Sequence, residues 1–293
     1  SFADDMTVHL SDNNLEQLCI NANHSLADSY IWFSSNKLFL NADKTKYMVI
    51  GPNNTPTSLN YDLKIGNQTI SLASEAKFLG IHVDQHLTWR PHLLAINKKI
   101  SYALMAIKQV KNFLPPSALK TLYYSLIHPH LLYGIVIWGN TKPSHLKKTF
   151  LLQKRAIRYV TNSPYNAHTE PLFKSTGILK LEDLYQQQVA LFMYDYQANI
   201  LPKSFQNLFQ LNSAINTVHN TRNQDLLYIP TPRSDFSARL PLFNFPKIAN
   251  QFSSMLYAPS RTLLKSHIKQ YFLSYYEASV MCNNPFCSQC IRL

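Results

Sequence analysis

The sequence predicts an α+β fold in which a short mixed region precedes a long helical one. Three observations predict it. Apolar residues gather in short extended pieces up to about residue 84, they recur at helical spacing from about residue 91 onward, and the net charge changes sign between the two stretches. Residues 1–90 hold 9 acidic and 6 basic side chains, whereas residues 91–293 hold 7 acidic and 22 basic ones. With 46% hydrophobic and 12% aromatic residues among 293, enough apolar material is present for a packed core, which argues against wholesale disorder.

The elements follow in order. Met6 to Leu10 reads as a short strand after Ser1-Phe2-Ala3-Asp4-Asp5. Ser11 or Asp12 can cap a helix whose apolar positions Leu15, Leu18, Ala22 and Leu26 share a face, ending before Asn36. Extended pieces are expected at Leu38 to Leu40, at Tyr47 to Ile50 and at Lys77 to Val83, with a hairpin from Leu63 to Leu72 turning at Gly66-Asn67. Beyond Thr88 the spacing predicts a helix opened by Pro91 and carrying Leu93, Ile96, Ile100, Ala103, Leu104 and Ile107. Further helices are predicted from Pro116 to His128, where Pro129 ends or kinks the run, from Pro143 to Val160, and from Leu181 to Ala198. Residues 201–259 read as loop because six prolines punctuate them, and a last helix is expected near Ser260 to Glu277. The expected domains are 1–90, 91–162 and 163–293.

Composition excludes several function classes. Only 6 glycines leave no room for Walker-type or Rossmann-type phosphate loops. The longest apolar run, Leu131 to Trp138, is under half of the ~20 residues that a membrane span needs, so no membrane partner is expected. Four cysteines and no signal-peptide pattern at the start point to a reducing compartment rather than a disulfide scaffold. No acidic residue occurs between Asp84 and Glu170, while twelve lysines and arginines do. A solvated surface usually mixes signs; this one forgoes every i,i+4 ion pair and so attracts polyanions, nucleic acid first among them.

Adjacent aspartates beside a strand can bind divalent metal through hard oxygen ligands, although alone such a pair more often marks a solvated turn. The blocks that follow sharpen the reading. Phe2-Ala3-Asp4-Asp5, then Leu40-Asn41-Ala42-Asp43-Lys44-Thr45-Lys46, then Lys77-Phe78-Leu79-Gly80-Ile81-His82-Val83-Asp84 resemble, in order, the end of the palm of non-LTR (LINE-type) retrotransposon reverse transcriptases. The resemblance continues through Leu87-Thr88-Trp89, Lys98-Lys99-Ile100, Tyr133-Gly134, Trp138-Gly139 and Leu152 to Arg158, and becomes looser beyond. It implies a partial palm over 1–90, a basic helical thumb over 91–162 and a helical C-terminal region over 163–293.

What the resemblance implies for chemistry is RNA-directed DNA polymerisation with two magnesium ions, one lowering the pKa of the primer hydroxyl and the other neutralising pyrophosphate. Asp4 would be a Mg2+ ligand, Asp5 its less direct companion, and Lys44 the basic residue near the triphosphate of the incoming dNTP. Phe78, Leu79 and Gly80 would form the primer-grip hairpin under the growing strand. An RNA template, a DNA primer and an intracellular ribonucleoprotein setting, nuclear or cytoplasmic, are implied with them. Read from spacing alone, Lys147, Lys154 and Arg158 recur on one helix face with Lys148 and Arg155 alongside, and Leu146, Phe150, Ile157 and Val160 supply the packing face. With Lys98 and Lys99 they are the candidate phosphate contacts, expected to be salt-sensitive and mostly non-specific.

Departures from the family pattern set further expectations. These polymerases use a third carboxylate from a strand well ahead of the Asp-Asp turn, so the 293 residues by themselves are expected to lack polymerase activity. A piece of a larger enzyme and a truncated, non-catalytic nucleic-acid-binding remnant both fit, and a structural helical module binding an acidic protein is the rival from another class. Ala249 stands where members often have the Trp of a Trp-Asn pair ending here at Asn250. Cys282, Cys287 and Cys290 have spacings a Zn2+ site uses, but a fourth ligand, His267 or Cys19, would have to come from elsewhere; ordinary thiols are the alternative. His128 and His130 flank Pro129 and suit a helix end better than a metal. Tyr123, Tyr124, Tyr133 and Trp138 suit a core better than base stacking.

Overall fold

A computed structural model describes residues 6–51, 62–215 and 223–276. The protein is α+β and divides into two compact units at Thr88/Trp89.

The first unit is built on helix α1, Leu15–Ser35, and three small two-stranded sheets. Asn14, not Ser11 or Asp12, caps α1: its side chain accepts the Glu16 N–H at 2.9 Å, while Asp12 accepts the N–H of Asn14. Strands β2 (Lys64–Ile65) and β3 (Gln68–Thr69) form the expected hairpin, with Gly66 at φ 59° in its two-residue turn. Asn23 of α1 fastens it, donating to the Asp62 carbonyl at 3.2 Å and accepting from the Lys64 N–H at 3.1 Å. Strand β1 (Lys46–Tyr47) pairs in parallel with β4 (Ser71–Leu72). Strands β5 (Glu75–Phe78) and β6 (Ile81–Asp84) pair antiparallel around Leu79-Gly80, so the run that its pattern presents as one extended piece is a hairpin, as the family resemblance implies. The core is small: Cys19, Ala42, Leu63, Ile65 and Ile70. Ala22 and Leu26 pack half-buried against it, Leu15 and Leu18 are half-buried on the same helix, and Ile31 and Trp32 stay exposed, because so few apolar partners cover only part of a 21-residue helix.

The second unit is built of helices joined by loops, with one isolated antiparallel bridge, Leu211 to Leu227, among its described residues. Its elements are α2 (Arg90–Val110), α3 (Pro116–Leu126), α4 (His128–Leu132), α5 (Ile135–Trp138), α6 (Pro143–Val160), α7 (Glu170–Thr176), α8 (Leu181–Gln197), α9 (Asn212–Ile215), α10 (Asp235–Ala238), α11 (Pro241–Gln251) and α12 (Arg261–Tyr275), with a 3-10 turn at Lys203–Phe205. Pro129 breaks the predicted second helix at Ile127, where α4 begins anew. The stretch expected to be loop contains α11 despite Pro246 inside it. The missing N–H costs one hydrogen bond, and burial of Phe245, Pro246, Ile248 and Ala249, with α8 packed alongside, offsets that loss. One core runs from Leu93 to Tyr276 and crosses residue 162 without a break. Tyr123 and Trp138 belong to it, whereas Tyr124 and Tyr133 remain partly exposed.

Two polar arrangements organise this core. Gln153 on α6 is fully buried and donates to the Tyr123 hydroxyl and to the Leu179 carbonyl, both at 3.0 Å. At the start of α8, Tyr276 donates to the Asp183 carboxylate and accepts the Lys180 N–H at 3.0 Å; Lys180 pairs with Glu170 and lies over the Tyr276 ring. Burial pushes Asp183 up to about 6, outweighing the Tyr276 bond and the Lys180 charge.

Candidate nucleic-acid interface

Helices α2 and α6 pack more extensively against each other than any other helix pair among the described residues. Their direction follows from two cross-links. At the starts, Arg90 Nε donates to His145 Nε2 at 2.9 Å; at the ends, Lys111 Nζ reaches Asn162 Oδ1 at 3.3 Å. Starts meet starts and ends meet ends, so the two helices run parallel. Lys98 stands eight residues beyond Arg90 and Lys154 nine beyond His145, which at 1.5 Å per residue puts both about 12–14 Å along the pair.

The inward face of α2 is Leu93, Ile96, Asn97, Ile100, Leu104 and Ile107; that of α6 is Thr149, Leu152, Gln153, Ala156, Ile157 and Val160. Leu146 and Phe150, expected to be buried, pack half-exposed at its margin. Outside stand Lys98 and Lys99 on α2, and Lys147, Lys148 and Arg155 on α6, all exposed. Lys154 is half-buried, with Nζ 4.6 Å from the centroid of the Phe150 ring. Arg158 is turned along the chain, its Nε donating to the Ala167 carbonyl at 2.9 Å and holding the loop after α6. Lys99 lies near His130 on α4, and burial together with the Lys99 charge lowers the pKa of that imidazole.

One feature escaped the sequence reading. On α2, Leu94, Tyr102 and Met105 are 63%, 65% and 61% exposed and fall on one side of the helix with Lys98. The signal was available, since these residues lie off the inward 3.6-residue stripe and have nothing in the pattern to cover them. A stripe that mixes apolar, aromatic and cationic side chains suits contact with sugars and base edges beside phosphates.

In the first unit, Lys44 is exposed on a turn in which the Asn41 side chain accepts the Lys44 N–H at 3.1 Å. Phe78, Leu79 and Gly80 form the tip of the β5–β6 hairpin, with Leu79 at φ 45° and Gly80 at φ 83°. Both apolar side chains at that tip are about two-fifths exposed, and a leucine held in the left-handed region stores strain where a turn of this kind normally has Asn or Gly. Asp84 is occupied structurally: Oδ2 accepts the Thr88 N–H at 2.9 Å. Asp4, Asp5, Cys282, Cys287 and Cys290 lie outside the described residues. Cys19 is buried in the first unit's core and His267 is exposed on α12. Among the described residues no three His, Cys, Asp or Glu side chains are grouped to hold a metal ion, and no helix is long and apolar enough to cross a membrane.

Comparison with known proteins gives one consistent answer. The probable RNA-directed DNA polymerase of the Drosophila melanogaster transposon BS is 26% identical over 189 residues, covering 62% of this chain and 20% of that protein. The chain is similar to part of a transposon polymerase. The RNA-directed DNA polymerase of the mobile element jockey of the same fly is 26% identical over 149 residues, 50% of this chain and 16% of its own length. Its counterpart in Drosophila funebris is 25% identical over 126 residues, 41% and 13% respectively. The likeness to non-LTR reverse transcriptases read from the sequence blocks is thereby borne out, and the chain spans about a fifth or less of the length of these curated relatives. No protein-family model matches the chain. No solved structure matches it either.

Proposed function

We propose that these residues supply the end of the palm and the thumb of an RNA-directed DNA polymerase of the non-LTR type, and that the helical unit holds the hybrid of RNA template and DNA primer by its phosphates. The observation that carries the reading is the parallel α2–α6 pair. It exposes Lys98, Lys99, Lys147, Lys148 and Arg155 in a stretch without any carboxylate, in a chain similar to such polymerases. Phosphate contacts of this sort fix position and carry no sequence information. In the first unit the exposed Phe78-Leu79 tip would support the primer strand and Lys44 would face the dNTP. Magnesium at Asp4 and Asp5 would activate the primer hydroxyl in the intact enzyme. Two carboxylates hold two metal ions poorly, so this polypeptide by itself is expected to bind a hybrid without extending it.

Affinity for a fluorescent 20-base-pair RNA–DNA hybrid tests the reading. Lys98→Gln, Lys147→Gln and Arg155→Gln together are expected to weaken binding at low salt and to flatten the salt dependence by about 0.9 log units per lost contact. Unchanged affinity in the folded triple variant would overturn it. Templated primer extension that vanishes in Asp4→Ala would overturn the expected inactivity.

A further inference from the structure

Away from α2 and α6, the last helix carries cations whose arrangement is costly to the fold. Leu264, Ile268 and Phe272 bury one side of α12, and Lys265 and Lys269 follow one another by a single turn on its flank. Like charges at this spacing repel. Lys120 on α3 adds a third charge near enough to act on Lys269, and burial with both neighbouring lysines pushes the Lys269 ammonium below its ordinary value. Lys120 also lies one turn from Tyr124, whose ring meets His128 edge-on at 5.1 Å. His128 Nδ1 is enclosed and has no hydrogen-bond partner among the described residues. Burial and the charges of Lys265 and Lys269 hold that imidazole neutral, down to about 4.

None of Lys120, Lys265 and Lys269 pairs with a carboxylate among the described residues. Lys269 does lie beside the C-terminal end of the seven-residue helix α7. A Cβ at Gly177 would lie 3.9 Å from Lys269 Nζ, and a helix end offers only a fraction of a charge. Three lysines on two helices thus converge beside an unsatisfied imidazole, with no carboxylate paired to any of them among the described residues.

We propose that Lys120, Lys265 and Lys269 form a second phosphate-binding site, which takes the backbone of a nucleic acid beyond the segment held by α2 and α6. The inference rests on the reading of the helical unit as a nucleic-acid holder and extends the contact to residues with no place in the sequence blocks. Two adjacent backbone phosphates match two lysines one helical turn apart, and the third lysine closes the site from α3.

The test is hybrid binding by the 293-residue chain with Lys265→Gln and Lys269→Gln, singly and together, and with Lys269→Arg. Two lost contacts should make the double variant less salt-sensitive, so that wild type loses about tenfold more affinity than the variant between 50 and 200 mM salt. Lys269→Arg should retain the wild-type slope. The double variant should also melt no lower than wild type without nucleic acid, which separates lost contact from lost fold. A wild-type slope in the folded double variant overturns this site while the α2–α6 reading stands if its triple variant is impaired. No hybrid binding by wild type overturns both. Displacement of hybrid by poly-glutamate at equal charge concentration would assign the site to an acidic protein and overturn the nucleic-acid proposal.

Discussion

Gly139→Ala is the substitution to which the helical unit should be most sensitive for its size. Gly139 follows α5 with φ −68° and ψ −16°, a conformation alanine adopts freely, so backbone freedom does not explain the glycine. Space does. An added Cβ would lie 2.4 Å from Tyr185 Cδ2, 2.9 Å from its Cγ and 2.6 Å from the Ile135 carbonyl oxygen. The carbonyl cannot retreat without lengthening its own hydrogen bond from the Gly139 N–H, 2.7 Å. Tyr185 is buried, and its hydroxyl accepts a hydrogen bond from Asn244 on α11. Overpacking of this kind costs about 1–3 kcal/mol, and two rigid neighbours favour the upper end. The entropy lost by the unfolded chain returns about 0.4–1 kcal/mol. A net loss of about 2 kcal/mol corresponds to a Tm lower by roughly 4–8 °C for a unit of this size. Gly177→Ala is the contrasting case, with open space but φ +62°, and should cost about 1 kcal/mol through backbone strain alone. Thermal unfolding followed by circular dichroism decides between them. Tyr185→Leu in the Gly139→Ala background should recover part of the loss. A Gly139→Ala protein melting within 1 °C of wild type would refute the packing argument.

Other consequences are equally open to measurement. Asp183, pushed up to about 6, contributes stability that is full below about pH 3.9 and falls as pH rises to about 6; His128, pushed down to about 4, contributes stability that is full above about pH 6.5 and falls with acidification. Each is on the order of 3 kcal/mol, with opposite sign, so Asp183→Asn should expose the His128 slope as a Tm that drops between pH 6.5 and 4. An unchanged pH profile in that variant would contradict the assignment. Gln153→Ala leaves the Leu179 carbonyl and Tyr123 hydroxyl without their donor, and chemical denaturation should register a loss of about 2–4 kcal/mol. Leu79→Asn suits the left-handed turn and should stabilise the first unit by about 0.5–1 kcal/mol, while weakening any primer contact made by the apolar tip. A loss of stability there would show that the leucine side chain outweighs its backbone.

The long helices were legible because their caps and apolar stripes agree. Pro143 to Val160 is found with its predicted bounds, and the inward residues of α2 are those its spacing names. The Gly66-Asn67 hairpin was legible from its turn chemistry. What escaped were elements made by tertiary contact. Pro246 argues locally against α11, yet Phe245 and Ala249 bury there, and Asn250 clamps Leu227 by accepting its N–H at 3.0 Å and donating to its carbonyl at 2.8 Å. At the candidate site, spacing identified the basic face of α6 but could not show that Arg158 bends back to Ala167. Nor could it bring Lys120 to Lys269, since 149 residues separate them in sequence. The Phe78-Leu79-Gly80 block announced a hairpin through its family likeness, and its strained leucine became visible only in the backbone.

The most direct measurement is the salt dependence of RNA–DNA hybrid binding by the unmodified chain. Lys98, Lys99, Lys147, Lys148 and Arg155, each displacing one condensed counterion, predict a log–log slope near −4.5, which the three lysines of the second site steepen to about −7, with little preference among hybrid sequences. Hybrid affinity that stays level from 50 to 300 mM salt, or the absence of any hybrid binding at 50 mM, would contradict a phosphate-gripping helical unit.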